Sequence, residues 1–305
     1  MLRFHQGRPR SAGGGAKHTL ELVMHTLFLL CGILAVGFVL CISIYLLISG
    51  IPAIQQIGLR EFLLGQVWQP TATTMEPSFG ILPFILTSVY GTAGAIVLGV
   101  PVGLFTALFL SKAAPPKVTA LIHGAVELLA GIPSVVYGLV GMIVLVPAIQ
   151  KFFGLSSGAC LLAAILVLAI MILPSIINVS ETALNAVPKE YEEASLALGA
   201  TETETIFRVS LPAARSGVAA AVVLGVGRAI GEAMAIIMVS GNVANMPGLL
   251  TSVRFLTTAI ASGMSYAAVG SLFQQSLFSI GLVLFLFIML INAVLNLFIK
   301  RRREE

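Results

Sequence analysis

Long apolar stretches separated by short polar ones dominate the chain. Stretches able to cross ~30 Å of hydrocarbon lie at roughly Leu22–Ile48, Gly80–Leu110, Thr119–Ile149, Gly158–Ile177, Ala213–Ser240 and Gln275–Ile299. The pattern predicts six membrane spans, the fifth read as one continuous helix. The second and third are longer than a membrane needs and contain Pro101 and Pro133. Proline has no N–H and crowds the preceding turn, so kinks or a broken helix are expected there, with neighbouring helices satisfying the freed carbonyls. The polar remainder is too short for a soluble domain. It divides into a basic tail at 1–21, a transmembrane domain at 22–299 carrying a polar loop at 179–212, and a second tail at 300–305. The other long connections are Ser49–Phe79 and Gly241–Gln274. The first holds the sole tryptophan, Trp68, which suits the membrane interface. The second has Leu249, Leu250, Val253, Phe255, Leu256 and Ile260, as in a helix lying in the interface or a re-entrant segment. Neither is large enough to be an enzyme.

Composition agrees with an all-α integral membrane protein. Hydrophobic residues make up 58% of the chain and charged residues 10%, and the mean hydropathy is +1.03, leaving too little polar surface for a soluble domain. A net charge of +4 raises the possibility of a nucleic-acid partner. The basic residues sit at span ends rather than along one face, which excludes that class.

Their distribution orients the chain instead. Arg3, Arg8, Arg10, Lys17, Lys112, Lys117, Lys189, Arg208, Arg215, Lys300, Arg301, Arg302 and Arg303 fall on one side, and only Arg60, Lys151 and Arg254 on the other. Cytoplasmic loops carry the excess of Lys and Arg, so both termini and the loop at 179–212 are expected in the cytoplasm of a multi-pass inner-membrane protein. The first span is far longer than the about 7 to 15 apolar residues of a signal peptide, and reads as an uncleaved helix. Ser11–Ala16, rich in glycine, reads as a disordered tail. Cys31, Cys41 and Cys160 lack any metal or redox spacing and read as packing residues. His123 and Glu127 stand one helical turn apart, as a buried hydrogen-bonded pair or, alternatively, a proton relay.

The polar loop has its own local logic. Pro188 suits a first helical position and Gly199 the left-handed residue after a helix end, so Lys189–Leu198 is predicted to be a short helix. Thr201 and Glu204 have the spacing of a capping box opening a second helix, which Pro212 ends. Small residues at Ala194, Ser195 and Ala197 admit a close partner backbone, and Glu190, Glu192 and Glu193 offer charge to a basic one.

The loop resembles the E-A-A-x-x-x-G-x9-I-x-L-P segment by which permeases of binding-protein-dependent ABC importers dock on their ATPases. The match holds at Glu193, Ala194, Gly199, Leu211 and Pro212; Ser195 stands where alanine is usual and Val209 where isoleucine is. The resemblance extends through Gly131-Ile132-Pro133-Ser134-Val135-Val136-Tyr137-Gly138, through Gly225–Ala235 and through Val239-Ser240-Gly241-Asn242, which look like the phosphate permeases. The last of these, with Phe79-Gly80-Ile81-Leu82-Pro83, favours the PstC type over its PstA-type partner. Ala233 departs from the family's usual threonine, and the segment around Ala261 and Ser262 lacks an acidic residue often found there. The resemblance implies a six-helix type I importer permease fold and inorganic phosphate as cargo. It also implies a homologous PstA-type permease, two ATP-binding subunits and an extracytoplasmic phosphate-binding protein as partners. No G-x-x-x-x-G-K-[ST] loop occurs, so ATP and Mg are expected on the partner ATPase, with no cofactor or metal on this chain.

Arg228 and Glu232 carry the chemistry of this reading. Four residues apart, they are predicted to share one face of the fifth span with Ala221, Gly225 and Ala235. A charge at mid-membrane costs about 2.5 to 3.5 kcal/mol, so such residues face a bundle interior, a partner or a wet path. A guanidinium fits a pair of phosphate oxygens, which assigns Arg228 and Glu232 to the solute path. The competing assignment is an intrahelical ion pair serving assembly alone. Other classes remain open at this point: an importer of phosphonate or molybdate, a proton-coupled secondary transporter, and an intramembrane enzyme, for which only scattered Ser and His are present.

Overall fold

The computed structural model describes residues 14–71 and 76–304, so Arg3, Arg8, Arg10, Ser11–Gly13 and Glu305 lie outside the described residues. The chain divides into two units, Met1–Ser49 and Gly50–Glu305. In the first, helix α1 (Gly14–Ile57) begins, so Gly14–Ala16, expected to be disordered, are helical. Propagating a formed helix adds one hydrogen bond per residue fixed, which carries it back through weak formers.

The second unit is mostly helical, with a two-stranded antiparallel ribbon in which Trp68 pairs with Phe79 and an irregular segment over 240–255. In order come α2 (Leu59–Leu64), α3 (Leu82–Lys112), α4 (Pro116–Gly131), α5 (Ser134–Phe153), α6 (Leu161–Asn185), α7 (Lys189–Ala197), α8 (Glu202–Ala213), α9 (Arg215–Gly231), α10 (Met234–Val239), α11 (Leu256–Gly263) and α12 (Leu272–Glu304). Five helices are long and apolar enough to span a membrane, and six if the α8–α9 pair, bent by 71°, is one span.

Two predicted spans need correction. The stretch Thr119–Ile149 is two helices, broken at Ile132-Pro133, and the spanning one is Ser134–Phe153. Pro133 has no N–H to offer the Leu129 carbonyl, and the residue before a proline is driven out of the helical region; Ile132 is extended accordingly, at φ −71° and ψ 126°. The Leu129 carbonyl is satisfied by the Tyr137 hydroxyl at 2.6 Å. The stretch Ala213–Ser240 is likewise interrupted, at Glu232-Ala233. Pro101, by contrast, leaves α3 a single helix.

Helix α6 is the centre of the bundle, with Leu168, Met171, Ile172 and Ile176 buried. Glycines let its neighbours approach: a Cβ on Gly99 of α3 would lie 2.8 Å from Ile172, and one on Gly225 of α9 would lie 3.2 Å from Ile176. In lipid, where apolar burial between helices contributes little, such close contact is what holds helices together.

The ends of α3 differ. At its first turn, Trp68 makes edge contacts with Phe79, Phe84 and Phe273 at centroid distances of 5.9, 5.4 and 6.2 Å. Trp68 is only 8% exposed, so the expected interfacial tryptophan is a core residue of this end. Here Gly241–Gln274 turns back into the bundle. The backbone N–H groups of Cys160, Leu161 and Leu162, orphaned at the start of α6, donate to the carbonyls of Val239, Thr251 and Leu249. Cys160 is buried there, whereas Cys31 and Cys41 are exposed on α1. The other end of α3, about 40 Å away at ~1.5 Å per residue, meets the polar loop.

Candidate functional site: the polar loop and the broken-helix centre

The loop is two short helices at an angle. Pro188, extended at φ −57° and ψ 133°, stands just before α7 rather than in its first position. Gly199 has φ +90°, and a Cβ there would meet nothing within 4 Å, so glycine is required by backbone conformation alone. The capping box forms as its spacing predicts: the Glu204 N–H donates to Thr201 Oγ1 at 3.2 Å, and the Thr201 N–H to Glu204 Oε2 at 3.1 Å. The Thr201 backbone bond, its hydroxyl and Arg208 hold the Glu204 carboxyl below the usual range. Helix α8 continues past Pro212, and the chain bends one residue after Ala213, at Ala214.

Side chains fix this unit to the bundle. Glu192 accepts from Lys112 Nζ of α3 at 2.5 Å and from Ser210 Oγ of α8 at 2.8 Å. Burial alone would raise its pKa, but these two bonds and the charges of Lys112 and Lys189 outweigh it and hold the carboxyl low. Ser195 and Thr205 share a hydrogen bond at 2.9 Å, so the serine that departs from the usual alanine ties α7 to α8. Leu211 packs with Ala107, Leu108 and Leu184. Glu193, Ala194 and Pro212 are exposed. Beside them Tyr191, Leu196, Leu198 and Phe207 present apolar surface, Leu198 being 90% exposed. The spacing did not announce the Glu192 tie or the exposed Phe207; Glu192 lies 18 positions from Ser210 and 80 from Lys112, beyond a local pattern, although Lys112 at a helix end was a signal.

The centre of the bundle is built differently. Arg228, in the last turn of α9, donates from Nη1 to Ser175 Oγ of α6 at 3.3 Å. Ser175 lies about 20 Å along α6 from Leu161 and about 15 Å from Asn185 at ~1.5 Å per residue, which places Arg228 at middle depth. Glu232 is outside the helix, with φ −74° and ψ 130°. The predicted shared face therefore fails. Among the described residues Lys112 and Glu192 form an ion pair and His123 and Glu181 meet at hydrogen-bond distance, while Arg228 and Glu232 do not pair. Glu232 instead organises the break: its Oε1 accepts the Ala235 N–H at 3.0 Å, and its carbonyl accepts from Thr257 Oγ1 of α11 at 2.7 Å.

The two breaks lie side by side. A Cβ on Gly138 of α5 would come 2.8 Å from the Ala235 Cα of α10, so the segments after Pro133 and after Glu232 meet backbone to backbone. The sequence motifs around Pro133 and Arg228 are these breaks and their packing. His123 bonds Glu181 of α6 at 3.0 Å rather than pairing with Glu127. Both line a polar cavity of about 270 Å³ with Asn178, Glu181, Thr182 and Asn185. No group of three or more His, Cys, Asp or Glu placed to hold a metal occurs among the described residues.

Comparison with known proteins agrees with this architecture. Residues 99–304 match the family described as binding-protein-dependent transport system inner membrane component. The probable ABC transporter permease YqgH of Bacillus subtilis is 40% identical over 269 residues, 86% of each chain. The phosphate transport system permease PstC of Haemophilus influenzae is 34% identical over 285 residues, covering 86% of this chain and 88% of the relative. PstC of Mesorhizobium japonicum is 34% identical over 260 residues, 79% of this chain and 78% of the relative. In fold the chain is similar to a bacterial alginate ABC transporter, with a TM-score of 0.59 at 16% identity over 93% of this chain and 94% of that one. It is also similar to the inward-facing methionine transporter MetNI, with a TM-score of 0.57 at 21% identity over 72% of this chain and 95% of that one. With its broken spans, its bent loop and these relatives, the chain belongs to the binding-protein-dependent transport system inner membrane component family, as a permease subunit of an ABC importer.

Proposed function

We propose that this permease is the PstC-type subunit of an importer of inorganic phosphate, with both termini and the α7–α8 loop in the cytoplasm. Its partners are a homologous PstA-type permease, two ATP-binding subunits that bind ATP and Mg, and an extracytoplasmic phosphate-binding protein. The observation that carries the reading is Arg228: a guanidinium at middle depth with no carboxylate within 4.0 Å among the described residues. A bundle does not retain such a group without use, because the cost of desolvation is not recovered by a partner. A tetrahedral oxyanion supplies the missing charge and two oxygens in the fork geometry. The PstC names of the relatives agree with that cargo.

Energy reaches the path through the loop. Exposed Tyr191, Leu198 and Phe207 offer apolar contact to an ATPase, and Glu193 offers charge. Glu192 links α7 to Lys112 and Ser210, so displacing the loop moves α3 and α8 together. The bend at Ala214 passes that movement to α9, which bears Arg228.

The test is uptake of labelled phosphate by proteoliposomes containing the four-subunit complex, with the binding protein outside and ATP inside. Phosphate accumulates, while phosphonate and molybdate compete weakly. No accumulation, or preference for either competitor, overturns phosphate as cargo. A cysteine at Ala200 is labelled by an impermeant reagent only from the ATPase side; labelling from the other side overturns the orientation.

A further inference from the structure

A second unneutralised guanidinium lies at the opposite end of the bundle from the loop. Arg254 precedes α11 and is partly buried. Its Nε–H is shared between the carbonyl and Oδ1 of Asn242, both at 3.0 Å, and Nη2 donates to the same carbonyl at 2.6 Å. Asn242 is held at φ 51°, the sole non-glycine with positive φ among the described residues, directly after Gly241 at φ 80°. Two left-handed residues in succession are sparsely populated and persist only where the surroundings fix them. They turn the Asn242 carbonyl and side chain together onto one edge of the guanidinium. Arg254 Cζ also lies 5.9 Å from the Phe84 ring centroid, so a second contact orients the group.

These contacts occupy Nε–H and one Nη2–H. Of the five N–H donors of arginine, both on Nη1 and the other on Nη2 have no protein acceptor among the described residues, and no carboxylate lies within 4.0 Å. The guanidinium opens on a cavity of about 630 Å³ that Trp68, Gln69, Ser262 and Tyr266 also line. Among the described residues its lining carries no acid. Tyr266 brings a hydroxyl and Gln69 an amide, while the Ser262 hydroxyl is spent on the Thr258 carbonyl at 2.6 Å, and the space admits a hydrated anion.

We infer that Arg254, fixed by Asn242, is a receiving site for a small inorganic oxyanion at the mouth opposite the ATPase-docking loop. The ligand is phosphate on the reading proposed above, on which that identification rests. The rigid edge contact leaves a preorganised fork for two anion oxygens, and the Coulomb attraction of a partly desolvated arginine draws the anion from the delivery side. Thr257, three residues on, bonds the Glu232 carbonyl at the break, so the mouth is connected through α11 to the depth of Arg228. Arg254 collects the anion, and Arg228 takes it within the span.

The experiment is arginine modification by phenylglyoxal on the permease–ATPase complex in proteoliposomes, without binding protein, read by peptide mass spectrometry. Inorganic phosphate is compared with chloride at equal ionic strength, and uptake of labelled phosphate is measured on the same preparation with the binding protein restored. Phosphate is expected to slow modification of Arg254 about tenfold, the scale of one charge-assisted bond, and to leave exposed Arg60 unaffected. Arg254→Gln is expected to reduce uptake about tenfold and Arg254→Lys to recover part of it. Uptake with equal modification rates in phosphate and chloride overturns the receiving site alone. Protection without uptake keeps the anion site and removes the phosphate reading. Equal loss of uptake in the Gln and Lys variants, with no protection in the parent, assigns Arg254 to holding Asn242 and overturns the inference.

Discussion

Two polar regions interrupt this apolar chain, and they are shaped by different forces. The α7–α8 loop follows rules that act over a few residues: a capping box between Thr201 and Glu204, and a positive φ at Gly199. The break at Glu232 has one local bond, from the Ala235 N–H to its carboxylate, and is otherwise fixed by partners distant in sequence, with Thr257 on its carbonyl and the Gly138 contact beside Ala235. In water the loop can satisfy its own backbone or borrow solvent. At depth a freed carbonyl must find a protein donor, so the irregular backbone exists only where other helices support it. The loop is thus a local device that presents a surface, and the break is a tertiary device that places charge.

That contrast can be broken by substitution. The largest effect is expected at depth. Arg228→Gln should lower phosphate uptake about a hundredfold, the scale of losing one preorganised donor, at unchanged complex assembly, since its one hydrogen bond among the described residues, to Ser175, is long at 3.3 Å. Uptake within a few-fold of the parent, or failure to assemble, removes Arg228 from the path. In the loop, Gly199→Val should cost about 1–2 kcal/mol of local structure because a Cβ disfavours the left-handed region. Reduced uptake and weaker ATPase crosslinking from Ala200 are the readouts, and normal coupling would show that the turn has no special requirement.

Tyr137→Phe separates the two kinds of region on one bond. It leaves the Leu129 carbonyl with only the long Ile132 N–H bond at 3.4 Å, so a loss of about 0.5–1.5 kcal/mol in thermal unfolding of the complex is expected; the same change at Tyr191, exposed on α7, should leave thermal unfolding unchanged. The smallest effect belongs to Glu192→Gln, about 0–1 kcal/mol for a partly exposed pair. The Glu192 carboxyl is depressed below its ordinary 4.5 in the folded protein. Its contribution is therefore present above that ordinary value and lost as pH falls through the folded one. Acid exposure should loosen the α3–α7 link in the parent, read as faster proteolysis at the loop, and this pH dependence should be absent in the variant.

The sequence shows these regions unequally for the same reason. The apolar runs mark the spans, and the spacings at Gly199 and Thr201 show the loop nearly residue by residue, because each depends on neighbours within four positions. Pro133 announced its break through a missing N–H. The break at Glu232 has no proline, and its local hints were Gly231 and an acid able to cap the Ala235 N–H three residues on; a four-residue spacing read as one helix face was the natural error. Trp68 was misplaced because an aromatic near a span end is as suited to a buried cap as to the interface. Asn242 at positive φ and its hold on Arg254 depend on a fold of the chain no local window contains.

The central claim is that Arg228 serves the cargo and not an ion pair. Glu232→Gln retains an oxygen able to accept the Ala235 N–H, so the break survives the change. Phosphate uptake by the Arg228→Gln, Glu232→Gln double variant, measured in membranes matched for assembled complex, is the most direct test. Transport as low as in Arg228→Gln alone is expected; near-normal transport would mean that the two charges only balance each other and would contradict the claim.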